Sequence, residues 1–583
     1  MRKSQIALGV ILMTTILDHG AIASERETNS VVFGLVDAPG SVHGGRSVWP
    51  STPPDGCPFK TSDRFTTLTF TGRRATYTSA DTWYPSWASD GKMYSSWTDG
   101  SVNGLASSSV GKNATTGYAT ILGDDPLRLQ IVEQGKYPSD PAPYQGRYPT
   151  GNLVYNGVWY YGTYCLGPEG WSKRDGITYN WPWLSPFVGF RYSTDFGKTW
   201  TQTPCTPDKP LFGESALKGE PVKIGTPHFV DFGQNMELSP DGKAYLVAHG
   251  ASSGPDGRRY GYNSWITGDE IYLVRVTPSI ENMNDVSRYE FYAGDDDKGA
   301  PIWSKDFQKI KPIAAWKDNM GCVTMTYNRP LKKFLMCVTD GEMTCGFFNT
   351  YILESDKMTG GWKLVTYMKH FGEEAYFVNI PSKFIAPNGM TLWLCYSANF
   401  GQGQNGIKLE SKPAGSGYGM CLQEVQLSGD SNPVASPDRL AGDDNLARTA
   451  TVTVSSTAVG YSERGAVDGG VAGYPEAPGK EWVSKGETTT AWIRLTWDEE
   501  KSIDRVWLFD RPNMIDQITG GRLEFSDGTI IKTGELPDDA YQGLEVKFPA
   551  KKVKWMSFYV DGVKTGTQNV GLSEIAVFKC NTK

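Results

Sequence analysis

A short pattern recurs along the first 400 residues: an apolar or aromatic run, a turn pair, and a second apolar run. Runs joined by Asn-Gly or Asp-Gly indicate β-hairpins, because such turns need residues that tolerate a positive φ. The turn pairs are Asp90-Gly91, Asn156-Gly157, Asp241-Gly242, Asn328-Arg329 and Asn388-Gly389. In the first repeat, a run from Met93 to Trp97 ends at a further pair, Asp99-Gly100. The pattern therefore predicts an all-β chain built from repeated antiparallel units.

A second hairpin follows most of these repeats. Residues 190–200 contain STDFGKTW, which resembles the Asp-box of sialidase-type propellers, with Asp195 in a structural role. Residues 351–365 have a similar pattern. Two hairpins give a four-stranded unit, and five such units predict a five-bladed β-propeller over residues 62–427. A β-sandwich with irregular hairpins is the alternative.

The N-terminus predicts an export signal over residues 1–23. Arg2-Lys3 precede an apolar stretch at residues 6–17, and Ala21-Ile22-Ala23 offer a cleavage site. The apolar stretch is too short to span a bilayer, and no later stretch is apolar enough. We therefore expect a secreted or periplasmic protein with no membrane insertion, a monomer, whose residues 24–61 form an N-terminal extension.

Composition excludes several functional classes. The net charge is −7 with no basic stripe, so nucleic acid is not an expected partner. Aromatic residues make up 12% of the chain, including 19 Trp, which favours turn-rich β structure with surfaces that stack on sugars. The nine cysteines form no CxxC pair, and no phosphate-binding loop or HExxH motif is present. We expect no required cofactor and leave open a structural Ca²⁺.

A change of composition divides the chain near residue 430. Residues 428–444 are rich in Ser, Asp, Pro and Gly, which indicates a linker. Beyond them follow, in order, NLARTATVTVSS, AVDGG, EW, AWIRLTW, VWLFDRPN and GLSEIAVF. This series resembles the discoidin-like (coagulation factor C-type) β-sandwich module of secreted carbohydrate enzymes. The resemblance implies a carbohydrate-binding module over residues 445–583, with Trp482, Arg511 and Asn513 as sugar contacts or as supports of the fold.

Polar residues precede the turns of all five repeats. In a propeller the innermost strands converge on one face, so these residues would meet at the axis. The positions, in chain order, are Asp81, Arg147, Asp231, Asp318 with Asn319, and Asn379, which comes shortly after Glu373-Glu374. Mostly carboxylates, they supply what glycoside hydrolysis needs: one acid for the leaving oxygen and one carboxylate for water or for the anomeric carbon.

At this point the chain resembles the five-bladed furanosidase-type clan of invertases, arabinanases and endo-D-arabinanases. The resemblance implies that Asp81, in ADTWYP, is the base or nucleophile, and that the acid is Asp231 or Glu237, both in HFVDFGQNME. Arg147 occupies the region where the clan often has a further Asp that modulates the acid. Asp318 and Glu374 complete the catalytic candidates.

Three functions remain open on the residues alone. A glycoside hydrolase of a carbohydrate polymer or oligosaccharide is the first, with arabinan-like furanosides as one substrate class. A polysaccharide lyase would use Arg147, Tyr148 and His228 instead. A non-catalytic binder would use the same carboxylates for hydrogen bonds alone. Aromatic stacking is expected from Trp83, Tyr84, Trp87 and Tyr148, and the loops at residues 167–183 and 251–265 are expected at the pocket mouth.

Overall fold

Antiparallel β-sheets make up the protein, as the repeated hairpins predict. The computed structural model describes residues 42–43, 46–167, 173–174, 177–178, 184–217, 220–253, 265–341, 347–402, 408–428, 440–471, 473, 478–511, 515–537 and 543–579. The predicted export signal at residues 1–23 lies outside these ranges. Within them, the helices are short 3₁₀ segments: Gln234–Met236, Val286–Arg288, Phe307–Lys309, Ser382–Phe384, Leu446–Thr449, Glu463–Val467 and Pro478–Lys480. None of these segments is long and apolar enough to cross a membrane.

Five antiparallel sheets follow one another up to residue 428. Sheet 1 has strands Ser79–Asp81, Ser86–Trp87, Met93–Val102, Leu105–Ser107, Thr115–Leu122 and Gln130–Pro138. Sheet 2 has Gly146–Tyr155, Val158–Leu166 and Leu184–Ser193. Sheet 3 has His228–Phe229, Ala244–Gly250, Glu270–Val276, Glu290–Asp295, Pro301–Ser304 and Pro312–Ala315. Sheet 4 has Val323–Asn328, Lys333–Gly341, Phe348–Ser355 and Lys363–Met368.

Sheet 5 joins the two ends of this region. Its strands from the later sequence are Tyr376–Asn379, Thr391–Ser397 and Met420–Ser428, and its earlier ones are Val42–His43, Ser47–Val48 and Thr67–Tyr77. The long strand Thr67–Tyr77 pairs with Met420–Ser428, from Tyr77 opposite Met420 to Thr67 opposite Ser428. The first long strand of the region therefore completes the last sheet. A separate two-stranded sheet joins Lys173–Arg174 to Ile177–Thr178.

The predicted turn pairs lie between or just before strands. Asn156 and Gly157 have φ of 48° and 80° and join two paired strands of sheet 2. The pair Asp99-Gly100 behaves differently from our expectation, because it lies inside the strand Met93–Val102. The hairpin that follows turns at Asn103-Gly104, with φ of 48° and 86°. Asp99 is thus a strand residue. It lies beside Asp81, because the register partner of Asp81 is Thr98, the residue before Asp99.

The Asp-box forms the tight turn that its sequence indicates. Asp195 Oδ1 accepts hydrogen bonds from Ser193 Oγ (2.7 Å) and from the backbone N–H of Thr199 (2.9 Å). These bonds satisfy polar groups of the turn, and they hold the pKa of Asp195 at about 2. Trp200, at the end of the motif, packs edge-on against Tyr118 of sheet 1 with ring centroids 5.0 Å apart. The motif therefore serves the packing of sheet 2 on sheet 1.

Aromatic and aliphatic side chains fill the space between successive sheets. Distinct buried clusters join sheet 1 to sheet 2, sheet 2 to sheet 3, sheet 3 to sheet 4 and sheet 4 to sheet 5. A fifth cluster joins sheet 5 to sheet 1 through residues such as Trp393 and Trp97, both fully buried. Burial of such apolar surface is the main favourable term in folding. Each sheet therefore packs on the next one in chain order, and sheet 5 packs on sheet 1.

The C-terminal residues form their own sheets and their own core. A six-stranded sheet contains Thr451–Val454, Trp492–Phe509, Ile518–Phe525, Ile530–Thr533, Leu544–Val563 and Glu574–Lys579. A two-stranded sheet pairs Trp482–Val483 with Gly571–Leu572. The main buried cluster here extends from Leu446 to Val577 and includes no residue of sheets 1 to 5.

Candidate functional site

A cavity of about 210 Å³ opens where sheets 1, 2 and 5 meet, and we call it the Asp81 pocket. It combines two carboxylates with aromatic side chains, the usual composition of a site that binds a small polar ligand. Its lining residues are Asp81, Thr82, Asp99, Val110, Tyr148, Tyr164, Leu166, Trp265, Tyr376, Phe377, Phe400 and Tyr418. Trp265 ends the loop that was expected at the pocket mouth, and most of that loop lies outside the described residues.

Asp81 is the most deeply buried carboxylate of the pocket, with 7% of its surface exposed. Tyr376 donates its hydroxyl hydrogen to Asp81 Oδ2 at 2.7 Å. Asp81 Oδ1 is buried and has no hydrogen-bond partner among the described residues. Burial and the nearby charge of Asp99 raise the pKa of Asp81 well above its usual value, although the Tyr376 and Tyr418 hydroxyls oppose the rise. Burial and the Asp99 charge therefore shift the balance of Asp81 towards its protonated form, while its buried Oδ1 stays without a hydrogen-bond partner among the described residues.

Asp99 lies beside Asp81 in a different hydrogen-bond environment. Its Oδ1 accepts from the backbone N–H of Ser109 at 2.7 Å, and its Oδ2 accepts from the Ser109 hydroxyl. Burial raises the pKa of Asp99 above its usual value, and these hydrogen bonds to the ionised form oppose the rise without cancelling it. Two neighbouring carboxylates thus have environments that separate their pKa values, with Asp81 the one raised further. This is the arrangement that divides acid and base roles between two groups.

Three lining residues have left-handed backbone conformations without being glycine. Thr82, Asp99 and Phe377 have φ of 61°, 44° and 49°. A β-branched or bulky residue in this region is strained by about 1–3 kcal/mol, and such strain concentrates at functional sites. The strain at Thr82 and Phe377 turns the inner strands of sheets 1 and 5 at the level of the pocket.

Aromatic rings separate the pocket from a smaller cavity of about 40 Å³ below it. Tyr84 packs on His228 with ring centroids 4.3 Å apart, and both rings contact Phe377 at 5.3 Å. The small cavity is lined by strand residues of sheets 2 to 5, by Asp231, and by Tyr84 and Pro85, which lie between two strands of sheet 1. The strand residues include Asn152, His228, Thr324 and Asn379. Burial lowers the pKa of His228 to about 3, so this imidazole is neutral.

Asp231 and Asn379 line the small cavity and make structural hydrogen bonds. Asp231 Oδ2 accepts from the backbone N–H of Ser382 and its Oδ1 from the Ser382 hydroxyl, both at 2.7 Å. Asn379 Nδ2 donates to the carbonyl oxygens of Trp83 and Phe377, both at 3.0 Å. The Asp231 side chain thus connects the segment after His228–Phe229 of sheet 3 to the 3₁₀ segment Ser382–Phe384, and Asn379 connects sheet 5 to the segment after Asp81.

The remaining acid candidates lie away from the lining of the Asp81 pocket. Glu237 is exposed and lies 3.9 Å from Arg329 in a surface ion pair. Asp318 is exposed, and Asn319 donates its side-chain N–H to the Lys317 carbonyl oxygen. Glu374 is fully buried and accepts a 2.8 Å hydrogen bond from the backbone N–H of Gly401.

Of the predicted sugar contacts in this region, Tyr148 lines the pocket. Tyr84 is buried beneath it, as described above. Trp83 is buried in the cluster between sheets 5 and 1 and donates to the Ala80 carbonyl oxygen, and Trp87 packs on that cluster. Arg147 donates to Thr163 Oγ1 at 2.9 Å and to the Asp140 carbonyl oxygen at 3.1 Å, outside the pocket lining.

The C-terminal candidates Trp482 and Arg511 are both buried. Trp482 belongs to the main core cluster and donates its indole N–H to the Ser456 carbonyl oxygen at 2.8 Å. Arg511 forms ion pairs with Glu481 at 3.1 Å and with Asp516 at 2.6 Å. Asn513 lies outside the described residues.

Several pocket residues carried no signal that sequence reasoning used. Asp99 was interpreted as a turn residue, yet an Asp so close to Asp81 in the same repeat is a usable signal for a second carboxylate. Tyr376, Phe400 and Tyr418 come from sheet 5 and the loops around it, and only the tertiary fold brings them to Asp81. Among the described residues, no group of three or more His, Cys, Asp or Glu side chains could hold a metal ion.

Comparison with known proteins concerns a small part of the chain. Residues 445–578 match a family described as a domain of unknown function (DUF7402). No curated protein matches the chain.

Solved structures similar to part of this chain include the following three. The lectin domain of lectinolysin, complexed with Lewis B antigen, is 21% identical and covers 24% of this chain and 98% of its own, with a TM-score of 0.21. The family 32 carbohydrate-binding module of C. perfringens NanJ, in complex with galactose, is 12% identical over 23% of this chain and 98% of its own (TM-score 0.20). Chitosan-binding module 1 of a Paenibacillus sp. IK-5 chitosanase/glucanase is 18% identical and covers 23% of this chain and 98% of its own, with a TM-score of 0.19.

Proposed function

We propose that this protein is a glycoside hydrolase in which Asp81 is the general acid and Asp99 is the base or nucleophile. The observation that carries the proposal is a pair of carboxylates in one aromatic-lined pocket, Asp81 buried and Asp99 half-buried, with unequal hydrogen bonding. In glycoside hydrolysis one carboxylic acid protonates the leaving oxygen while an ionised carboxylate activates water or attacks the anomeric carbon. Asp81 favours the protonated state, and Ser109 stabilises the ionised state of Asp99.

This assignment reverses the role that the furanosidase-type resemblance implies for Asp81. In this proposal the proton for the glycosidic oxygen is carried by Asp81 Oδ1, which is buried and has no hydrogen-bond partner among the described residues. Tyr376 holds Oδ2 and fixes the orientation of the carboxyl group. Tyr148 and Trp265 line the pocket and are the aromatic contacts that we propose for the apolar side of a sugar.

The scaffold we propose for this pocket is a five-bladed β-propeller of residues 62–427. Five antiparallel sheets in chain order and their cyclic packing support it, as do the strand residues of sheets 2 to 5 that line one small cavity with Tyr84 and Pro85 of the sheet 1 region. The strand Thr67–Tyr77 would then complete the last blade.

A lyase acting on uronates is less well supported by the pocket. Uronate neutralisation favours Arg, Lys or His in contact with the substrate, and the described lining residues include none of these. Arg147 is engaged with Thr163 outside the lining, and His228 is neutral below it. Tyr148 remains available in either chemistry.

For the C-terminal region we propose a carbohydrate-binding module whose Trp482 and Arg511 support the fold. Both side chains are buried, so sugar contacts would come from other loop residues, with Asn513 still a candidate. Such a module is also the setting of the second candidate function, a non-catalytic carbohydrate binder. We further propose that the protein is exported, acts as a monomer and needs no cofactor.

The test is hydrolysis of arabinans, fructans and pectic and algal polysaccharides by the wild type, Asp81→Asn and Asp99→Asn. We expect release of reducing ends by the wild type and a loss of about 10²–10⁴-fold in each variant. Asp340→Asn is a matched control, because Asp340 is also buried and accepts a hydrogen bond from a tyrosine, Tyr367, but lies outside the pocket lining.

Each outcome distinguishes the alternatives. Full activity in both pocket variants would refute the proposed catalytic pair. Ultraviolet-absorbing unsaturated products would identify a lyase. Binding of a polysaccharide without any product, in wild type and variants alike, would identify a non-catalytic binder.

A further inference from the structure

A third cavity, of about 710 Å³, lies beside sheet 5, and we call it the Trp49 groove. It is formed by the segment around Ser47–Val48, the strand Thr67–Tyr77, residues 369–370 and residues 412–414. Its volume lies in the range of about 300–1,000 Å³ that is typical of ligand sites. The groove shares no lining residue with the Asp81 pocket.

The charge of the groove is positive although the whole chain carries a net charge of −7. Arg74, Lys369, His370 and Lys412 line it, and no Asp or Glu does. Within the described part of the chain, no carboxylate forms an ion pair with Arg74, Lys369 or Lys412. Cations gathered in a concave surface focus a positive potential on whatever enters it.

The basic groups of the groove influence one another. Partial burial lowers the pKa of His370, and the charges of Lys369 and Lys412 lower it further against the opposing effect of Glu373. The Glu373 carboxylate accepts a hydrogen bond from the backbone N–H of Glu410. Like charges are therefore close together, with Glu373 as a partial counter-charge to His370, and an anionic ligand would compensate them further.

An aromatic ring lies in the same groove. Trp49 is partly exposed and packs edge-on against Phe371 at 5.6 Å and against Phe70 at 6.0 Å, which fixes its orientation. Lys412 Nζ lies 5.8 Å from the Trp49 ring centroid. A fixed indole beside cations can bind both the apolar face and the charged group of an acidic sugar.

The Arg74 side chain is positioned by a close backbone approach. A Cβ on Gly415 would lie 2.4 Å from Arg74 Cδ, and Gly415 has φ of 92°. Only glycine satisfies both requirements. Gln423 donates to the Ala414 carbonyl oxygen at 2.8 Å and holds the same loop. The positive groove is thus built from ordered contacts.

We propose that the Trp49 groove binds an anionic polysaccharide through its carboxylate or sulfate groups. The choice of a polysaccharide as the anion rests on the proposed function, and the groove itself rests on its own residues. It would hold a charged stretch of polymer away from the pocket that acts on the chain.

The experiment measures binding of the full chain to polygalacturonate, with fully methyl-esterified polygalacturonate as the uncharged counterpart. Dextran sulfate and dextran form a second pair that tests sulfate. The variants are Lys369→Ala/Lys412→Ala and, as a control with the same change of net charge, Lys298→Ala/Lys305→Ala, whose lysines are exposed on sheet 3 and the loops next to it. All proteins carry Asp81→Asn, so that binding is read without turnover.

We expect binding to the charged member of a pair only, about tenfold weaker in the groove variant and unchanged in the control variant. Stronger binding to dextran sulfate than to polygalacturonate supports the proposal and assigns the anion as sulfate. Equal weakening in both double variants, binding to the neutral polymers alone, or equally tight binding of single-stranded DNA would overturn it. Binding is independent of hydrolysis, so failure of the groove and failure of the catalytic pair are distinguishable.

Discussion

The buried carboxyl group of Asp340 makes the stability of this protein depend on pH in a way that one substitution can isolate. Asp340 lies on the strand Lys333–Gly341, where burial raises its pKa to about 7. Asn349 and Tyr367 donate hydrogen bonds to it at 2.6 and 2.9 Å and oppose the rise. In the unfolded chain the pKa of an Asp is about 3.9.

The direction in which stability changes with pH follows from the higher pKa of Asp340 in the folded state. The folded state binds the proton more tightly, so the contribution of Asp340 to stability is fully present below about pH 4 and is lost as the pH rises through about 7. Between these values the loss is about 1.4 kcal/mol per pH unit. From pH 4.5 to pH 6.5 the free energy of unfolding therefore falls by about 3 kcal/mol because of this group.

Asp340→Asn removes the titration and keeps the shape of the side chain. We expect the free energy of unfolding of the variant, relative to the wild type, to increase by about 3 kcal/mol between pH 4.5 and pH 6.5. Guanidinium titrations followed by Trp fluorescence at several pH values measure it. Any hydrogen bonds that the new amide gains or loses change the stability of the variant by the same amount at every pH, so they cancel when the two pH values are compared. A difference that stays constant within about 0.5 kcal/mol would refute the reasoning.

Two further substitutions test the strain in the pocket and the buried ion pairs. Thr82→Gly relieves the left-handed conformation (φ 61°) but removes a buried side chain that donates to the Asp81 carbonyl oxygen and adds entropy to the unfolded chain, so we expect these effects to cancel to within about 1 kcal/mol in thermal unfolding. A loss above about 2 kcal/mol would contradict the assigned strain. Arg511→Met leaves Glu481 and Asp516 buried without their cation, so we expect a loss of about 3–5 kcal/mol by calorimetry. Arg522→Met, at a partly exposed ion pair, is the control with a loss below about 1 kcal/mol, and equal losses in both variants would contradict the argument.

The local features of the fold were predictable because turn chemistry is local. An Asn-Gly pair such as Asn156-Gly157 needs two consecutive positive φ values, and a sequence shows that requirement directly. The Asp-box and the all-β class follow from the same kind of signal. Asp99-Gly100 shows the limit of this reasoning, because the same dipeptide lies within a strand and places Asp99 next to Asp81.

The composition of the pocket was only partly predictable. Asp81 and Tyr148 were expected from their positions before the turns, and both line it. Trp83 was expected to face a sugar, but the left-handed Thr82 changes the direction of the strand and Trp83 packs in the core. Tyr376 and Tyr418 reach Asp81 across hundreds of residues of sequence, and no local pattern encodes such a distance.

Pairing of the strand Thr67–Tyr77 with Met420–Ser428 sets an order for biosynthesis. The early strand leaves the ribosome first, and before residues 420–428 have been translated, roughly tens of seconds later at common elongation rates, its only available partners are the two short strands Val42–His43 and Ser47–Val48. During that interval its backbone N–H and C=O groups form an open edge that other chains can pair with. Tyr376 belongs to the same late sheet, so the hydrogen bond to Asp81 is completed only at the end of synthesis of this region. A nascent chain stalled before residue 420 would therefore lack the pocket and depend on chaperones for protection of this edge.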